Sequence, residues 1–172
     1  MVFRVRPARS TDLDALVEQF AAVAAEGRWI GTEAPIDPER VRSQYEARLS
    51  EPHHHLLCAA LTEPVDAVGP AGTLVGQLDL KVARYGVAEL GMCVGGSMRG
   101  RGVGRALLQD AIAWATAEPG VHKMALQVWP HNEAAQSLYR SCGFVQEGYL
   151  THHYRRRSGE IWDAVVMGRQ LG

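Results

Sequence analysis

A turn rich in glycine and arginine, GGSMRGRGVGRALL at residues 95–108, is the part of the sequence best suited to binding an anion. It leads into apolar residues at helical spacing, and the first N–H groups of a helix lack helical partners and carry partial positive charge. Glycines that let the backbone curve around a ligand alternate with cationic side chains: Arg99, Gly100, Arg101, Gly102, Gly104 and Arg105. A charge-assisted hydrogen bond contributes about 1.5–3 kcal/mol, so a few backbone amides and one arginine are expected to bind a diphosphate with a dissociation constant on the order of micromolar.

The spacing within this turn disfavours two common phosphate-binding motifs. It matches neither the P-loop, GxxxxGK[ST], nor the dinucleotide fingerprint, GxGxxG. Residues 99–104, RGRGVG, resemble instead the Q/R-x-x-G-x-G/A motif of the GNAT acetyltransferases, whose turn binds the pyrophosphate of acetyl-coenzyme A. The resemblance implies cofactor contacts from Arg99, Gly100, Arg101, Gly102, Val103, Gly104 and Arg105. The alternative is a tight strand–helix turn with solvated arginines.

A second stretch, LQVWPHNEAAQSLYRSCGFVQEGY at residues 126–149, is also similar to that family. There, strand five leads through an asparagine into a helix with an alanine pair, Leu-Tyr and then Gly-Phe. The resemblance implies an α/β fold, the GNAT acyl-CoA N-acyltransferase fold, with a mixed, mostly antiparallel seven-stranded sheet and four helices. In that fold strands four and five splay apart, and pantetheine pairs with a backbone edge that here would be Met92, Cys93 and Val94.

Acetyl transfer from a thioester to an amine needs a neutral amine, support for the oxyanion and a proton for the departing thiolate. Asn132 and Tyr139 stand seven residues apart and share one helix face. By resemblance Tyr139 is the general acid, and both Asn132 and Tyr139 contact the cofactor. From the residues alone, core packing is the favoured role of Tyr139, and Asn132 is equally a helix cap.

The base and the oxyanion donor are assigned by resemblance only. Glu89 occupies a strand-four position where some family members carry a glutamate that deprotonates the amine, often through water. An alternating strand also places glutamate in solvent or in an ion pair, so this alternative stays open. The oxyanion donor would be the backbone N–H near Val94.

Two segments are expected to border the acceptor amine, because relatives use the loop between the first helices and the final hairpin. Aromatic and carboxylate side chains there are predicted to bind the acceptor: Trp29, Glu33, His153 and Tyr154. Glu33 favours a cationic acceptor, whereas the run Arg155 to Arg157 favours an anionic one. A solvated hairpin and a core-capping loop is the alternative, and a three-arginine run is typical of an exposed face.

The histidine run at residues 53–55 does not predict a metal site. On a strand His53 and His55 face one way and His54 the other, and no HExxH or paired CxxC motif supplies further ligands. No metal is therefore expected.

The elements that must position these residues follow the order βααβββαβαββ. Apolar periodicity predicts a first strand near residues 2–6, a helix capped by Ser10 or Thr11 and ended by Gly27, and a second helix beginning at Asp37. Strand patterns follow at 54–61, 73–83, 87–94, 123–129, 144–156 and 161–171, with helices from about 103 to 117 and from Asn132 to Gly143. A single domain over 1–172 is expected.

Composition sets the outer limits of function. Eighteen basic and nineteen acidic residues give a net charge of -1, which predicts no general attraction to nucleic acid or to a membrane. The three cysteines are read as reduced, and the start lacks the apolar centre of a signal peptide, so a cytoplasmic protein is expected. A homodimer is left open, as a long terminal hairpin offers strand edges.

These observations favour an N-acetyltransferase that moves acetyl from acetyl-CoA to a small-molecule primary amine, an amino acid or related amine, within a ternary complex. Acetylation of protein N-termini or lysines is an alternative acceptor class. A non-catalytic module that binds coenzyme A as a regulator is a second hypothesis, and a nucleotide-binding protein a third.

Overall fold

The computed structural model describes residues 2–172, within which the predicted chain order of seven strands and four helices is confirmed. The elements are β1 (Phe3–Pro7), α1 (Leu13–Ala25), α2 (Pro38–Ser50), β2 (His54–Leu61), β3 (Leu74–Val82), β4 (Val87–Val94), α3 (Val103–Ala117), β5 (Lys123–Val128), α4 (Glu133–Ser141), β6 (Val145–Arg155) and β7 (Ile161–Gln170). Among these described helices, none is long and apolar enough to cross a membrane.

The ends of two helices follow from local chemistry that is visible in the sequence. Pro38 occupies the first turn of α2, and the Asp37 side chain accepts a hydrogen bond from Arg40 N–H at 3.1 Å. Gly143, just beyond α4, has φ +83, a left-handed conformation that a side chain disfavours. The start of α2 and the end of α4 therefore lie where capping residues predict.

The start of α1 differs from the prediction of a cap at Ser10 or Thr11. A 3-10 turn over Ser10–Asp12 comes first, and α1 begins at Leu13. Asp12 accepts a hydrogen bond from Arg9 N–H at 2.8 Å and forms an ion pair with Arg6 at 2.6 Å. A carboxylate that receives both a backbone N–H and a guanidinium is a stronger local anchor than either hydroxyl.

The seven strands form one sheet in the order β1-β2-β3-β4-β5-β7-β6, which confirms the α/β class. Bonds from Ala83 N–H to Val87 C=O at 2.7 Å and from Gly95 N–H to Val75 C=O at 2.9 Å join β3 and β4 as an antiparallel hairpin. β4 pairs with β5 in parallel, as the intervening helix α3 requires. The sheet order departs from the chain order only where β7 lies between β5 and β6.

The chain divides into two compact units, so the single domain over 1–172 stays a prediction. The first unit comprises residues up to Lys81 together with Gly91–Ala111. Its core places apolar faces of α1 and α2 against β2 and β3, with these buried residues: Leu13, Leu16, Val17, Val41, Tyr45, Leu56, Cys58, Ala60 and Leu74. Burial of these side chains holds α1 and α2 against the sheet of this unit.

The second unit comprises Val82–Leu90 and Ile112–Gly172. β7 pairs antiparallel with both β5 and β6; Val165 and Met167 are buried on one of its faces and Ala164 on the other. The β6–β7 register shifts between Leu150 and Tyr154, where β6 has more residues than its partner. This bulge changes which side chains of β6 share a face.

Candidate functional site

The glycine-rich turn lies in the first unit and has room for a ligand. Gly100 and Gly102 have φ values of +72 and +86, and a Cβ built on either would meet no atom within 4 Å. The preceding 3-10 turn, Gly96–Met98, is anchored by the fully buried Met98. Met98 thus anchors the turn in the core, while the space beside Gly100 and Gly102 is open. This open space, here called the cradle, suits the diphosphate of coenzyme A.

The first turn of α3 supplies the N–H groups for such an anion. Ala106 N–H donates to Gly102 C=O at 3.0 Å, so the amides that precede Ala106 lie at the helix start, where helical partners are lacking. Val103 is buried and packs close to Gly76 of β3, where a Cβ would lie 2.9 Å from its Cγ1. This close approach fixes the helix start, and the side chains of Arg101 and Arg105 are exposed.

The third arginine of the turn, Arg99, is engaged within the protein. Its Nη1 and Nη2 donate to the two carboxylate oxygens of Glu26, both at 2.7 Å, and its Nε donates to Val94 C=O at 3.0 Å. Its guanidinium also lies 5.2 Å from the ring centroid of Trp29. The structure therefore joins two predicted site residues, Arg99 and Trp29, through a glutamate that the sequence analysis did not single out.

Glu26 directly follows α1, where the partial negative charge of the helix end disfavours an acidic side chain. The Arg99 guanidinium, helped by the Trp29 N–H at 2.6 Å, lowers the pKa of Glu26 against the effect of partial burial. An acidic residue at a helix C-terminus was the sequence signal that a cation must lie nearby.

The predicted pantetheine edge, at the end of β4, alternates in burial. Met92 and Val94 are half-buried, whereas Cys93 is buried, with its thiol donating to Gln19 Oε1 at 3.5 Å. Gln77 donates to the same Oε1 at 2.6 Å and to the Cys93 sulfur at 3.6 Å. Burial raises the pKa of Cys93 to about 11, so the thiol stays protonated at neutral pH.

Helix α4, in the second unit, carries Asn132 and Tyr139. Asn132 accepts a hydrogen bond from Ala135 N–H at 3.2 Å and so caps the helix, as one of the two predicted roles requires. Tyr139 is 6% exposed, and its ring centroid lies 5.8 Å from that of Phe144. Phe144 N–H donates to Tyr139 C=O, so the turn at Gly143 fixes the tyrosine backbone.

Glu89 is exposed on β4 and stands opposite Ala125 of β5 in the parallel register. Glu89 therefore faces solvent, as one of its two predicted environments requires. A water-mediated role as base stays a prediction.

The predicted acceptor residues fall in both units. Trp29 and Glu33 are half-buried in the α1–α2 segment of the first unit. In the second unit the His153 and Tyr154 rings make an edge contact at 4.7 Å, and the Tyr154 hydroxyl donates to Gln127 Oε1. The bulge in β6, with His152 at φ +49, places these rings side by side.

An aromatic cluster beside Tyr154 was not predicted. Trp129 makes edge contacts with Tyr154 at 5.1 Å and with Trp162 at 5.2 Å. Arg156 is 5% exposed, with its guanidinium 4.3 Å from the Trp162 centroid. The interpretation of residues 155–157 as an exposed face is therefore wrong for Arg156, because its guanidinium, just beyond β6, lies on the indole rings of Trp129 and Trp162.

The histidines at 54 and 55 form ion-pair contacts with carboxylates. His54 Nδ1 lies 2.9 Å from Glu51 Oε2, and His54 Nε2 lies 3.6 Å from Asp79 Oδ1. His55 Nε2 lies 3.7 Å from Asp110 Oδ1. Within residues 2–172 the structure has no group of three or more histidine, cysteine or acidic residues that could hold a metal ion.

Comparison with known proteins places these features in a family. The model of the "Acetyltransferase (GNAT) family" matches residues 19–144. The N-alpha-acetyltransferase RimI of Mycobacterium tuberculosis is 35% identical over 134 residues, which cover 74% of this chain and 73% of RimI. The L-amino acid N-acetyltransferase AaaT of Escherichia coli is 34% identical over 102 residues, which cover 57% of this chain and 62% of AaaT. The chain thus spans about three fifths of the length of AaaT.

Solved structures share the whole architecture. An N-acetyltransferase from Staphylococcus aureus Mu50 aligns with a TM-score of 0.84 at 19% identity, covering 100% of both chains. The yncA protein of Salmonella typhimurium, solved with its cofactor acetyl-CoA, aligns with a TM-score of 0.82 at 22% identity, covering 100% of this chain and 95% of the other. At these identities the structures establish the fold, and the family model and the RimI match establish the relationship. The chain therefore belongs to the GNAT family of acetyltransferases.

Proposed function

We propose that this protein acetylates the primary amine of a small molecule, an amino acid or a related amine, using acetyl-CoA. The observation that carries the proposal is the open cradle at Gly100 and Gly102 before α3, in a chain of the GNAT family. An amino-acid acceptor is favoured by the AaaT relative, which is an L-amino acid N-acetyltransferase.

The turn is proposed to bind the diphosphate of coenzyme A. The backbone N–H groups of residues 100–105 would donate to its oxygens, and the exposed Arg101 and Arg105 would add charge. Met92, Cys93 and Val94 would offer backbone groups to pantetheine, and Asn132 would add a side-chain contact. Acetyl-CoA, when bound, supplies an acetyl group activated as a thioester.

Direct attack by the amine in a ternary complex is supported by the state of Cys93. A covalent acyl-enzyme on Cys93 would require its thiolate, yet this thiol is buried, donates to Gln19 and has its pKa raised to about 11. Cys93 is therefore proposed to contribute its backbone and not its sulfur.

Tyr139 is proposed to hold the proton that the departing thiolate takes. A phenol with a reference pKa near 10 matches a thiol of comparable acidity, and the buried ring on Phe144 holds the hydroxyl in one direction. Glu89 is proposed to take the proton of the attacking amine, directly or through water. The N–H near Val94 would support the oxyanion.

Trp29 and Glu33 in the first unit, and separately His153 and Tyr154 in the second, are proposed as acceptor-binding residues. Aromatic faces and a carboxylate suit an ammonium group before it loses its proton. A protein N-terminus is the second candidate acceptor, because RimI, an N-alpha-acetyltransferase, matches 74% of the chain. A cytoplasmic location and a homodimer stay predictions.

The experiment measures coenzyme A release from acetyl-CoA with a panel of amino acids, other small amines and N-terminal peptides. We expect turnover that depends on the amine, and a fall of about 100-fold in kcat for Tyr139→Phe with unchanged coenzyme A affinity. Tyr85→Phe is the control, because Tyr85 is 82% exposed. Binding of coenzyme A without turnover on any amine would favour the regulatory module, and equal kcat in Tyr139→Phe would refute the general acid.

A further inference from the structure

Glu26, Trp29 and Arg99 form a contact cluster in the first unit, here called the Glu26 cluster. The Glu26 carboxylate accepts three charge-assisted hydrogen bonds: two from the Arg99 guanidinium, both at 2.7 Å, and one from Trp29 Nε1 at 2.6 Å. The bond from Arg99 Nη1 is also an ion pair. The cluster thereby joins the end of α1 to the residue that opens the glycine-rich turn.

All three nitrogens of the Arg99 guanidinium donate to acceptors of the protein. Nε donates to Val94 C=O at the end of β4, and both terminal nitrogens donate to Glu26. The planar guanidinium also lies 5.2 Å from the Trp29 ring centroid. A guanidinium that makes a bidentate carboxylate pair is held in one orientation, which differs from that of a side chain awaiting a phosphate.

We propose that Arg99 is a positioning residue that fixes the α1–α2 segment, residues 26–37, against the turn, and that it does not bind the diphosphate through its side chain. The inference rests on the proposed function, which places Trp29 and Glu33 of this segment at the acceptor. The diphosphate then falls to the backbone N–H groups of the turn and to Arg101 and Arg105.

Charge balance supports this division of roles. Glu26 stands beside a turn built to attract an anion, and an unpaired carboxylate there would repel the diphosphate. Pairing with Arg99 cancels that charge, whereas a move of Arg99 to the phosphate would restore it. The same pair offsets the unfavourable position of Glu26 after the C-terminus of α1.

The experiment compares Arg99→Gln, Arg99→Lys and Glu26→Gln, with Arg42→Gln as a matched control. Arg42 also pairs with an acidic residue, Asp14 at 3.0 Å, but on the exposed surface of α2. Three quantities are measured: KM and kcat for the best amine, Kd of coenzyme A by calorimetry, and hydrogen–deuterium exchange of residues 26–37.

All three cluster variants are expected to raise the acceptor KM by about threefold to tenfold, with kcat within about twofold of wild type. The coenzyme A Kd should stay within about twofold in Arg99→Lys and Glu26→Gln, and rise by no more than about threefold in Arg99→Gln, because salt screens the charge of the exposed Glu26. Exchange in residues 26–37 should become faster, and Arg42→Gln should leave each quantity unchanged. Arg99→Lys is informative because it keeps the charge that a phosphate ligand needs but cannot make the forked pair.

A phosphate ligand would behave differently. Arg99→Gln would then weaken coenzyme A binding by about tenfold or more, Arg99→Lys would largely preserve it, and Glu26→Gln would leave it equal or tighter. That pattern, or unchanged exchange in residues 26–37, overturns the inference. If the wild-type protein acetylates no amine, the proposed function fails, and the exchange and calorimetry still decide the role of Arg99.

Discussion

Replacing Gly102 by alanine separates a ligand cradle from an ordinary tight turn. Gly102 has φ +86, and its missing Cβ would point into open space, with no atom within 4 Å. In the free protein the added methyl therefore costs only backbone strain, about 1–2 kcal/mol for a left-handed residue. With coenzyme A bound, the same methyl would occupy the space proposed for the diphosphate.

Gly72 provides a matched control. It has φ +92, its Cβ position is equally open, and it lies in the loop between β2 and β3. Gly72→Ala and Gly102→Ala should consequently lower the free energy of unfolding by similar amounts, about 1–2 kcal/mol each. Only Gly102→Ala should weaken coenzyme A, by about tenfold or more, which corresponds to about 1.4 kcal/mol or more.

The assay pairs chemical denaturation with calorimetric titration of coenzyme A at a temperature where both variants are folded. A Gly102→Ala protein that binds coenzyme A as tightly as Gly72→Ala would show that the glycines serve the turn alone. The reasoning about the cradle would then be refuted, whatever the stability values.

Two further predictions concern stability. Asp12→Asn removes the partner of Arg6 and should destabilise the protein by about 1–2 kcal/mol at neutral pH. In the folded protein the hydrogen bonds from Arg6 lower the pKa of Asp12, so the stability advantage of wild type is present above about pH 4 and is lost as the pH falls through the folded pKa. The free energies of unfolding of wild type and Asp12→Asn should therefore converge between pH 7 and pH 2. A difference that stays constant with pH would contradict the ion-pair account. Gly143→Ala should cost about 2 kcal/mol or more in thermal or denaturant unfolding, because φ is +83 and the methyl would collide with the Arg169 guanidinium; a loss no larger than that of Gly72→Ala would argue that Arg169 moves freely aside.

Most helices and strands were predictable from the sequence because strong local signals mark where they begin and end. Pro38 with Asp37 begins α2, and Gly143 ends α4, the helix that carries Tyr139, the predicted general acid. Strands with unbroken apolar runs, such as His54–Leu61, were equally clear. These signals lie within a few residues of the element they define, and a single sequence contains them in full.

Features that depend on distant partners were not predictable in the same way. The start of α1 was misplaced because Asp12 gains from Arg6 across a strand end, an interaction that outweighs a hydroxyl cap. The position of β7 between β5 and β6 follows from long-range pairing and not from local periodicity. The bulge near His152 shifts the face of His153 without any proline or glycine to mark it.

The candidate site shows the same division. The glycine turn was identified because its chemistry lies in consecutive residues, but the direction of the Arg99 side chain depends on Glu26, 73 residues away. Likewise the arginine run predicted an exposed Arg156, whereas its guanidinium is buried against the indole rings of Trp129 and Trp162. Side-chain direction, more than residue type, is what the sequence left undetermined.

A crystal structure of the complex with coenzyme A tests the central claim most directly. The account predicts that the diphosphate oxygens lie about 3 Å from main-chain nitrogens within residues 100–105, with Arg99 still paired to Glu26. A diphosphate bound elsewhere, with those main-chain nitrogens making no contact to it, would contradict the account.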